Sequence, residues 1–181
     1  MPTPNPNAGL GVGDPHGSMS ADGVSLEVWV ERSRAALGDV VYALVRVTNT
    51  TSEQVTYVGD CPSFVRGAVE TRPLADTDRR VKRLGAMEPL GWLQPPPVAG
   101  GLFQPHPVLH ACAEPAGQPP SVIQPGNLRE ATLGWVVEAT HPYWADDPTV
   151  VTAAFSGALE MGHRVKPLDL RVDVPIELID R

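Results

Sequence analysis

Apolar and polar residues alternate in five separate segments of the chain, and a period of two is typical of β-strands with one buried face. The clearest segment is residues 40–48, whose inward face consists of Val41, Ala43, Val45 and Val47. Residues 49–52 are short and polar, which is turn chemistry, and the apolar face resumes at Val55 and Tyr57. Because a single hairpin is not stable in water, the pattern predicts further strands that pack against this pair.

Further strands are predicted on both sides of this hairpin. They cover residues 24–31, 61–71, 128–139, 149–157 and 168–179. The residues that we expect in one shared core are Val41, Val45, Val47, Trp135, Phe155 and Val172. Pro175 has no backbone N–H, so we expect it at an edge or a bulge of the last strand. No segment has a helical period over three turns, and residues 158–161 allow one helical turn at most.

The length of 181 residues suits one domain, and its 20 prolines and 17 glycines are too many for a helical protein. Residues 1–22 are rich in proline, glycine and asparagine, so we predict a flexible linker there and a folded domain over residues 23–181. Residues 85–118 have almost no period. A long segment of this kind inside a domain is commonly functional, and we interpret it as a Pro/Gly-rich insertion.

The formal net charge of −7 argues against nucleic acid or an anionic membrane surface as a partner, because both need a basic face. No apolar run is long enough to span a bilayer. Residues 1–7 resemble the spacer that follows a cleaved signal peptide or a lipid-anchored cysteine. We therefore expect an extracellular or cell-envelope protein whose signal or lipid anchor belongs to a longer native chain; a cytoplasmic protein with a loose N-terminal tail is the alternative.

The order of motifs resembles that of bacterial immunoglobulin-like modules. Gly38-Asp39 precedes a strand that ends in Val-Arg-Val-Thr-Asn-Thr at residues 45–50, and Ile-Gln-Pro-Gly-Asn at residues 123–127 precedes Leu-Gly-Trp at 133–135. The set is similar to extracellular adhesion-type modules and to the family named after a Bacillus intracellular proteinase inhibitor. The resemblance covers residues 24–60 and 121–179. It implies an all-β, immunoglobulin-like Greek-key β-sandwich of roughly seven to nine strands, and it transfers no catalytic residue.

Cys61 and Cys112 are the only cysteines, and each borders a proline-rich stretch. We predict one disulfide between them, which suits an exported protein. Closing a loop of this length contributes roughly 4 kcal/mol by the chain-entropy estimate. Two separate buried thiols are the alternative.

His106, His110 and Cys112 have even spacings, so on a strand they would share one face and could bind zinc or copper. A blue-copper site needs a histidine shortly after the cysteine and a methionine nearby, and residues 113–118 supply neither. If Cys112 forms the disulfide, only two histidines remain. We therefore favour loop histidines without a metal and predict no cofactor.

The aromatic residues offer candidate contacts for a partner. Trp29 lies on the outward face of its strand between Glu27 and Glu31, where it is either exposed or covered by the tail or the middle segment. Residues 85–110 are predicted to form an ordered surface flap and the principal contact site, because loops on a rigid sandwich commonly carry binding. The apolar residues of this flap either pack on the sandwich or contact a partner; they are Trp92, Leu93, Leu102 and Phe103.

Catalytic motifs are missing from the sequence. No serine sits in a nucleophile elbow, and no glycine-rich phosphate loop joins a strand to a helix. We therefore predict a non-enzymatic module that binds a protein or another envelope component. A protease inhibitor that presents the proline-rich residues 85–110 is one alternative, and a small metal-binding protein that uses His106, His110 and Cys112 is another.

Overall fold

The computed structural model describes residues 10–11, 13–59, 63–72, 82–89, 120–138 and 148–179. These residues form eleven β-strands, against the seven to nine expected, because several short strands have no periodic pattern. The strands are β1 (Gly17–Ala21), β2 (Val24–Val30), β3 (Arg34–Ala36), β4 (Val40–Asn49), β5 (Val55–Tyr57), β6 (Arg66–Thr71), β7 (Lys82–Pro89), β8 (Ser121–Ile123), β9 (Leu128–Val136), β10 (Thr149–Met161) and β11 (Arg164–Ile179).

The strands form one hydrogen-bonded path in the order β1-β2-β4-β9-β7-β6-β10-β11-β3, with β5 paired to β10 and β8 paired to β5. The path curls into two sheets that face each other. The first sheet consists of β1, β2, β4 and β9. The second sheet consists of β3, β5, β6, β8, β10 and β11. The neighbours β4 and β9, and β6 and β10, are far apart in sequence, as in Greek-key connections. The fold is the predicted all-β, immunoglobulin-like β-sandwich.

The core follows from the alternation along the strands. On β4 the inward residues are fully buried and the residues between them are half-buried, as predicted. β2 pairs with β4 so that Val28 lies opposite Val45, and β9 places Trp135 opposite Val41. All six residues predicted for the shared core are buried: Val41, Val45, Val47, Trp135, Phe155 and Val172.

β7 joins the two sheets. It pairs with β6 along most of its length and then reaches β9, where Glu88 lies opposite Gly134. Between Val69 and Glu70 the register shifts, so Leu84 is an extra residue on β7, and such a bulge bends a strand. The predicted flap over residues 85–110 is therefore wrong at its start, because residues 85–89 belong to this strand. The sequence pattern did not indicate this strand, because the bulge places the buried residues Leu84 and Met87 three residues apart and so breaks the period of two.

The linker predicted over residues 1–22 is also wrong at its end, because Gly17–Ala21 form β1 and pair with β2. The two strands are joined by a tight turn in which Asp22 and Gly23 have φ angles of 52° and 80°. Positive φ at both positions is typical of a type I′ hairpin turn, which favours Asp-Gly. This dipeptide was the available signal for β1, whose short side chains show no alternation.

β10 and β11 form a long hairpin that continues through residues 158–161, so the helical turn allowed there is not present. Pro175 lies at a free edge, as predicted. The N–H of Glu177 points away from β10 and donates to the Ser33 carbonyl at 2.7 Å. The backbone nitrogen of Pro175, two residues earlier, lies on the same side of β11 as that of Glu177. The pairing of β11 with β3 begins only at Glu177, so the missing N–H of Pro175 leaves no group of β3 without a partner.

Candidate functional site

Four turns meet at one end of the sandwich, which we call the turn pole: residues 22–23, 50–54, 124–127 and 162–163. Backbone hydrogen bonds tie them together. Thr50 N–H donates to the Gly23 carbonyl at 2.9 Å, Gly126 N–H donates to the Asn49 carbonyl at 2.8 Å, and Glu160 N–H donates to the Gln54 carbonyl at 3.0 Å. Turns held on a rigid sandwich are common positions for binding residues.

Asn49, the last residue of β4, lies beneath the turns of this pole and holds them in place through its side chain. Its side chain is completely buried. The amide nitrogen donates to the carbonyls of Glu53 and Ile123, at 2.8 and 3.1 Å, and the amide oxygen accepts hydrogen bonds from the backbone N–H and the hydroxyl of Thr51. One amide therefore fixes residues 50–54 against β8, which confirms the turn chemistry predicted for residues 49–52.

An open depression of about 370 Å³ lies in the turn pole. Its lining residues are Ser52, Glu53, Gln54, Gln124, Pro125, Glu160 and Gly162. Gln54 Nε2 donates to Glu160 Oε2 at 2.6 Å and joins two sides of the depression. The described lining residues thus offer one hydroxyl, two amides and two carboxylates, and none of them has a basic side chain, so they are suited to hydrogen-bond donors and positive charge.

An exposed apolar residue flanks the depression at the tip of the β10–β11 hairpin. Val165 is 66% exposed and lies opposite Glu160, so these two side chains share one face of the hairpin, while Met161, which is 38% exposed, lies on the other face. Lys166 Nζ forms an ion pair with Asp22 Oδ1 at 2.6 Å, which holds the hairpin tip on the β1–β2 turn. The turn pole therefore combines an acidic depression with an apolar rim.

Sequence reasoning missed this depression. Gln54 and Glu160 are 106 residues apart in the chain, and Gln124 comes from a third segment. No local spacing could have signalled that these side chains converge. The only local signals were the turn chemistry at residues 49–52 and the Ile-Gln-Pro-Gly-Asn motif at residues 123–127, and neither indicates a binding site.

Trp29 has the outward direction predicted for it, but it is only 3% exposed. Its Nε1 donates to the Gly13 carbonyl at 3.3 Å, and the guanidinium carbon of Arg46 lies 4.8 Å from its ring centroid. Arg46 is held in turn by Glu130, at 2.6 Å between Nη2 and Oε1. The tail therefore covers Trp29, which is one of the two arrangements expected, and the indole is not a surface contact in this arrangement.

A set of alternating charges lies on the outer face of the second sheet. Arg72 contacts Glu70 and Asp173 at 3.0 and 3.1 Å, and Arg171 contacts the same two carboxylates at 2.9 and 3.4 Å. Because each guanidinium already has two carboxylate partners and the four charges balance, this set is not suited to an anionic ligand. We interpret it as a structural network.

The remaining predicted site residues lie outside the described residues. They are Trp92, Leu93, Leu102, Phe103, His106, His110, Cys61 and Cys112. The flap contacts, the disulfide and the metal alternative therefore stay predictions. Within the described ranges, no group of three or more histidine, cysteine or acidic side chains is placed to hold a metal ion. The same ranges contain no helix with the length and apolar character needed to cross a membrane.

Comparisons with known proteins found matches only among solved structures. No protein-family model matches the sequence, and no curated protein matches it. Among solved structures, the chain is similar to the sporulation control protein Spo0M from Bacillus subtilis, with 12% identity and a TM-score of 0.46, over 87% of this chain and 50% of that one. This chain thus spans about half the length of Spo0M. It is also similar to the ASH/PapD-like domain (PapD-like domain 7) of human CEP192, with 7% identity and a TM-score of 0.34, over 85% and 86% of the two chains.

Proposed function

We propose that this chain is a non-enzymatic binding module that recognises a protein partner through the turn pole. The observation that carries the proposal is the acidic depression beside exposed Val165. A volume of about 370 Å³ is at the lower end of ligand pockets, and the depression is open, so a small molecule would stay largely in water. A protein partner can instead place one side chain in the depression and cover the apolar rim.

The chemistry of the depression favours a basic side chain from the partner. Glu53 and Glu160 provide carboxylates, and none of the lining residues that the structure describes carries a positive charge. The net charge of −7 adds a long-range attraction for a basic surface. A lysine or arginine of the partner would form charge-assisted hydrogen bonds with these carboxylates.

The lining also supports a role without catalysis. Among the described lining residues, Ser52 is the only one with a hydroxyl, and none is a histidine, lysine or cysteine that could activate it. The carboxylates are better explained as fixed acceptors, since Glu160 already holds Gln54 at 2.6 Å. An exported or cell-envelope location remains part of the proposal, and it is supported by the N-terminal spacer and the pair of cysteines.

The test is capture of a partner from a cell-envelope extract of the source organism, followed by reconstitution with the purified partner. Val165→Asp places a charge on the rim, while Leu37→Asp places one on a residue that is 47% exposed away from the turn pole. We expect Val165→Asp to weaken binding of the purified partner by about tenfold or more, and Leu37→Asp to leave it unchanged. Equal binding by both folded variants would remove the turn pole from the interface.

The protease-inhibitor and metal-binding alternatives rest on residues 85–110 and on Cys112. Of these, only residues 85–89 are described, and they belong to β7, with Met87 buried in the core. An inhibitory loop would therefore have to begin after Pro89. No contact of the described residues favours either alternative over a binding module.

A further inference from the structure

Residues 10, 11 and 13–16, which we call the N-terminal segment, lie across the outer face of the first sheet. His16 attaches the segment to β2 in two ways. Its backbone N–H donates to the Val28 carbonyl at 2.9 Å, and its imidazole Nδ1 accepts a hydrogen bond from Val30 N–H at 2.9 Å. The imidazole therefore continues the β1–β2 ladder in place of a backbone carbonyl.

The segment covers an aromatic surface. Trp29 donates its indole N–H to the Gly13 carbonyl, and the Arg46 guanidinium lies over the same ring. A tryptophan on the outward face of an antiparallel sheet normally has one side of its ring exposed to solvent. Here only 3% of Trp29 is exposed, so the cover is nearly complete.

The fit of the segment depends on glycine. Gly11 has a φ of +77°, a backbone conformation that residues with a side chain rarely adopt, and a Cβ there would lie 2.8 Å from Cδ2 of Leu44, so the end of the leucine side chain would have to move. Gly13 has a φ of +83°, again in the region that favours glycine. The bound segment therefore depends on the backbone conformation at residues 11 and 13 and on a hydrogen-bond acceptor at residue 16.

We infer that the outer face around Trp29, Leu44 and Arg46 is a peptide-recognition site, which the N-terminal segment occupies within its own chain. The site accepts a peptide of another protein with the same spacing, namely two glycines separated by one residue and a histidine three residues after the second glycine. The indole N–H of Trp29 donates a hydrogen bond to a carbonyl of the peptide. The backbone N–H of Val30, on β2, donates one to the imidazole of its histidine. This site is on a different face from the turn pole and does not depend on the function proposed there.

The segment is suited to displacement. Among the described residues, three hydrogen bonds attach it to the sheet, and Gly13, Asp14 and His16 are themselves exposed. Segments with few buried contacts and exposed hydrogen bonds open at low free-energy cost. A tethered segment competes with a free peptide at an effective concentration that is typically of millimolar order, so the native chain masks its own site.

The experiment uses the full chain with Gly11→Val and a synthetic peptide with the sequence of residues 10–17. Valine at residue 11 is strained at a φ of +77° and crowds Leu44, so it weakens the tethered segment, while the peptide keeps its glycine. We expect the peptide to bind Gly11→Val at least about tenfold more tightly than the unsubstituted chain, measured by calorimetry. A peptide with valine for its first glycine should not bind.

Two further variants identify the contacts. Trp29→Phe in the Gly11→Val chain removes the indole donor and should weaken peptide binding by up to about tenfold, the effect of one hydrogen bond. His16→Phe opens the segment from its other end and replaces Gly11→Val if that variant does not fold. If folded Gly11→Val and His16→Phe chains both fail to bind the peptide, or if the valine peptide binds as well as the glycine peptide, the inference is wrong.

Discussion

The indole of Trp135 occupies the space that a side chain at residue 85 would need: a Cβ built on Gly85 would lie 2.8 Å from Cδ1 of Trp135 and closer still to its Nε1. Gly85 follows the bulge at Leu84, where β7 leaves β6 and turns toward β9. Glycine at this position lets the largest core side chain pack against the backbone of the strand that joins the two sheets.

Gly85→Ala should therefore destabilise the protein. The added methyl group collides with a ring that cannot move away inside the core, and overpacking of this kind costs about 1–3 kcal/mol. The free energy of unfolding from urea titrations measures the loss. Ala86→Ser, on the exposed face of the same strand, is the matched control and should stay within about 0.5 kcal/mol of the unsubstituted protein.

A double-mutant cycle assigns this loss to the Trp135 contact. In a Trp135→Phe background the smaller ring leaves room for the methyl group, so Gly85→Ala should cost less than it does alone. Equal costs in the two backgrounds would mean that the bulge geometry at Leu84, and not Trp135, excludes a side chain at residue 85.

Asn49→Ala should destabilise the fold and disorganise the turn pole. It removes the four hydrogen bonds of a completely buried amide, two donated to the carbonyls of Glu53 and Ile123 and two accepted from Thr51, and each such bond contributes about 0.5–1.5 kcal/mol. We expect a loss of about 3 kcal/mol in urea titrations, with amide chemical-shift changes concentrated in residues 50–54 and 123–127. Thr48→Ala, at the half-buried neighbour, should cost less than about 1 kcal/mol. A loss below that value for Asn49→Ala would refute the organising role of its amide.

Pro167 and Pro175 should protect a free edge of β11. On the side away from β10, the described residues pair with β11 only at Glu177–Ile179, and Arg171 N–H donates there to the weak acceptor Met19 Sδ at 3.4 Å. Edge prolines remove N–H donors that a second chain would bind. The double variant Pro167→Ala, Pro175→Ala should therefore self-associate with rising concentration in sedimentation experiments.

The control for the edge is Pro125→Ala, which changes a proline in a turn of the pole. It should sediment like the unsubstituted protein. If the double alanine variant does not associate either, β1 protects the edge of β11 without help from the prolines.

The predicted disulfide between Cys61 and Cys112 is tested by mass. Unreduced protein from an oxidising compartment should lack two thiol protons, and reduction should lower the free energy of unfolding by roughly 4 kcal/mol. Rapid labelling of both cysteines by a thiol reagent in the folded protein would show that they are free, and it would remove one of the two supports for an exported location.

Much of the fold could be predicted because most long strands have one face in the core and the other face toward water. The alternation of β4 follows from this, since its inward valines are fully buried while Tyr42 and Leu44 are half-buried. The period of β11 is confirmed for the same reason from Leu168 onward. Short strands such as β1 and β8 could not be found in this way, because backbone pairing and not side-chain burial defines them.

The depression of the turn pole and the site around Trp29 could not be predicted, because each is formed by residues that are far apart in the sequence and come together only in the folded protein. Gln54 meets Glu160 only after the sandwich has formed, and Trp29 is covered only because β1 carries the N-terminal segment back over the sheet. The bulge at Leu84 likewise erased the period of β7. In each case the deciding contact joins residues that no local pattern connects.

Displayed random peptides test the turn pole most directly. Peptides selected on the unsubstituted protein should be enriched in lysine and arginine, and they should bind at least about tenfold more weakly to the double variant Glu53→Gln, Glu160→Gln, which keeps the shape of the depression. Glu130→Gln, Glu177→Gln makes the same change of charge away from the pole and should bind them normally. Selected peptides that bind all three proteins equally, or a selection without basic residues, would contradict recognition through the acidic depression.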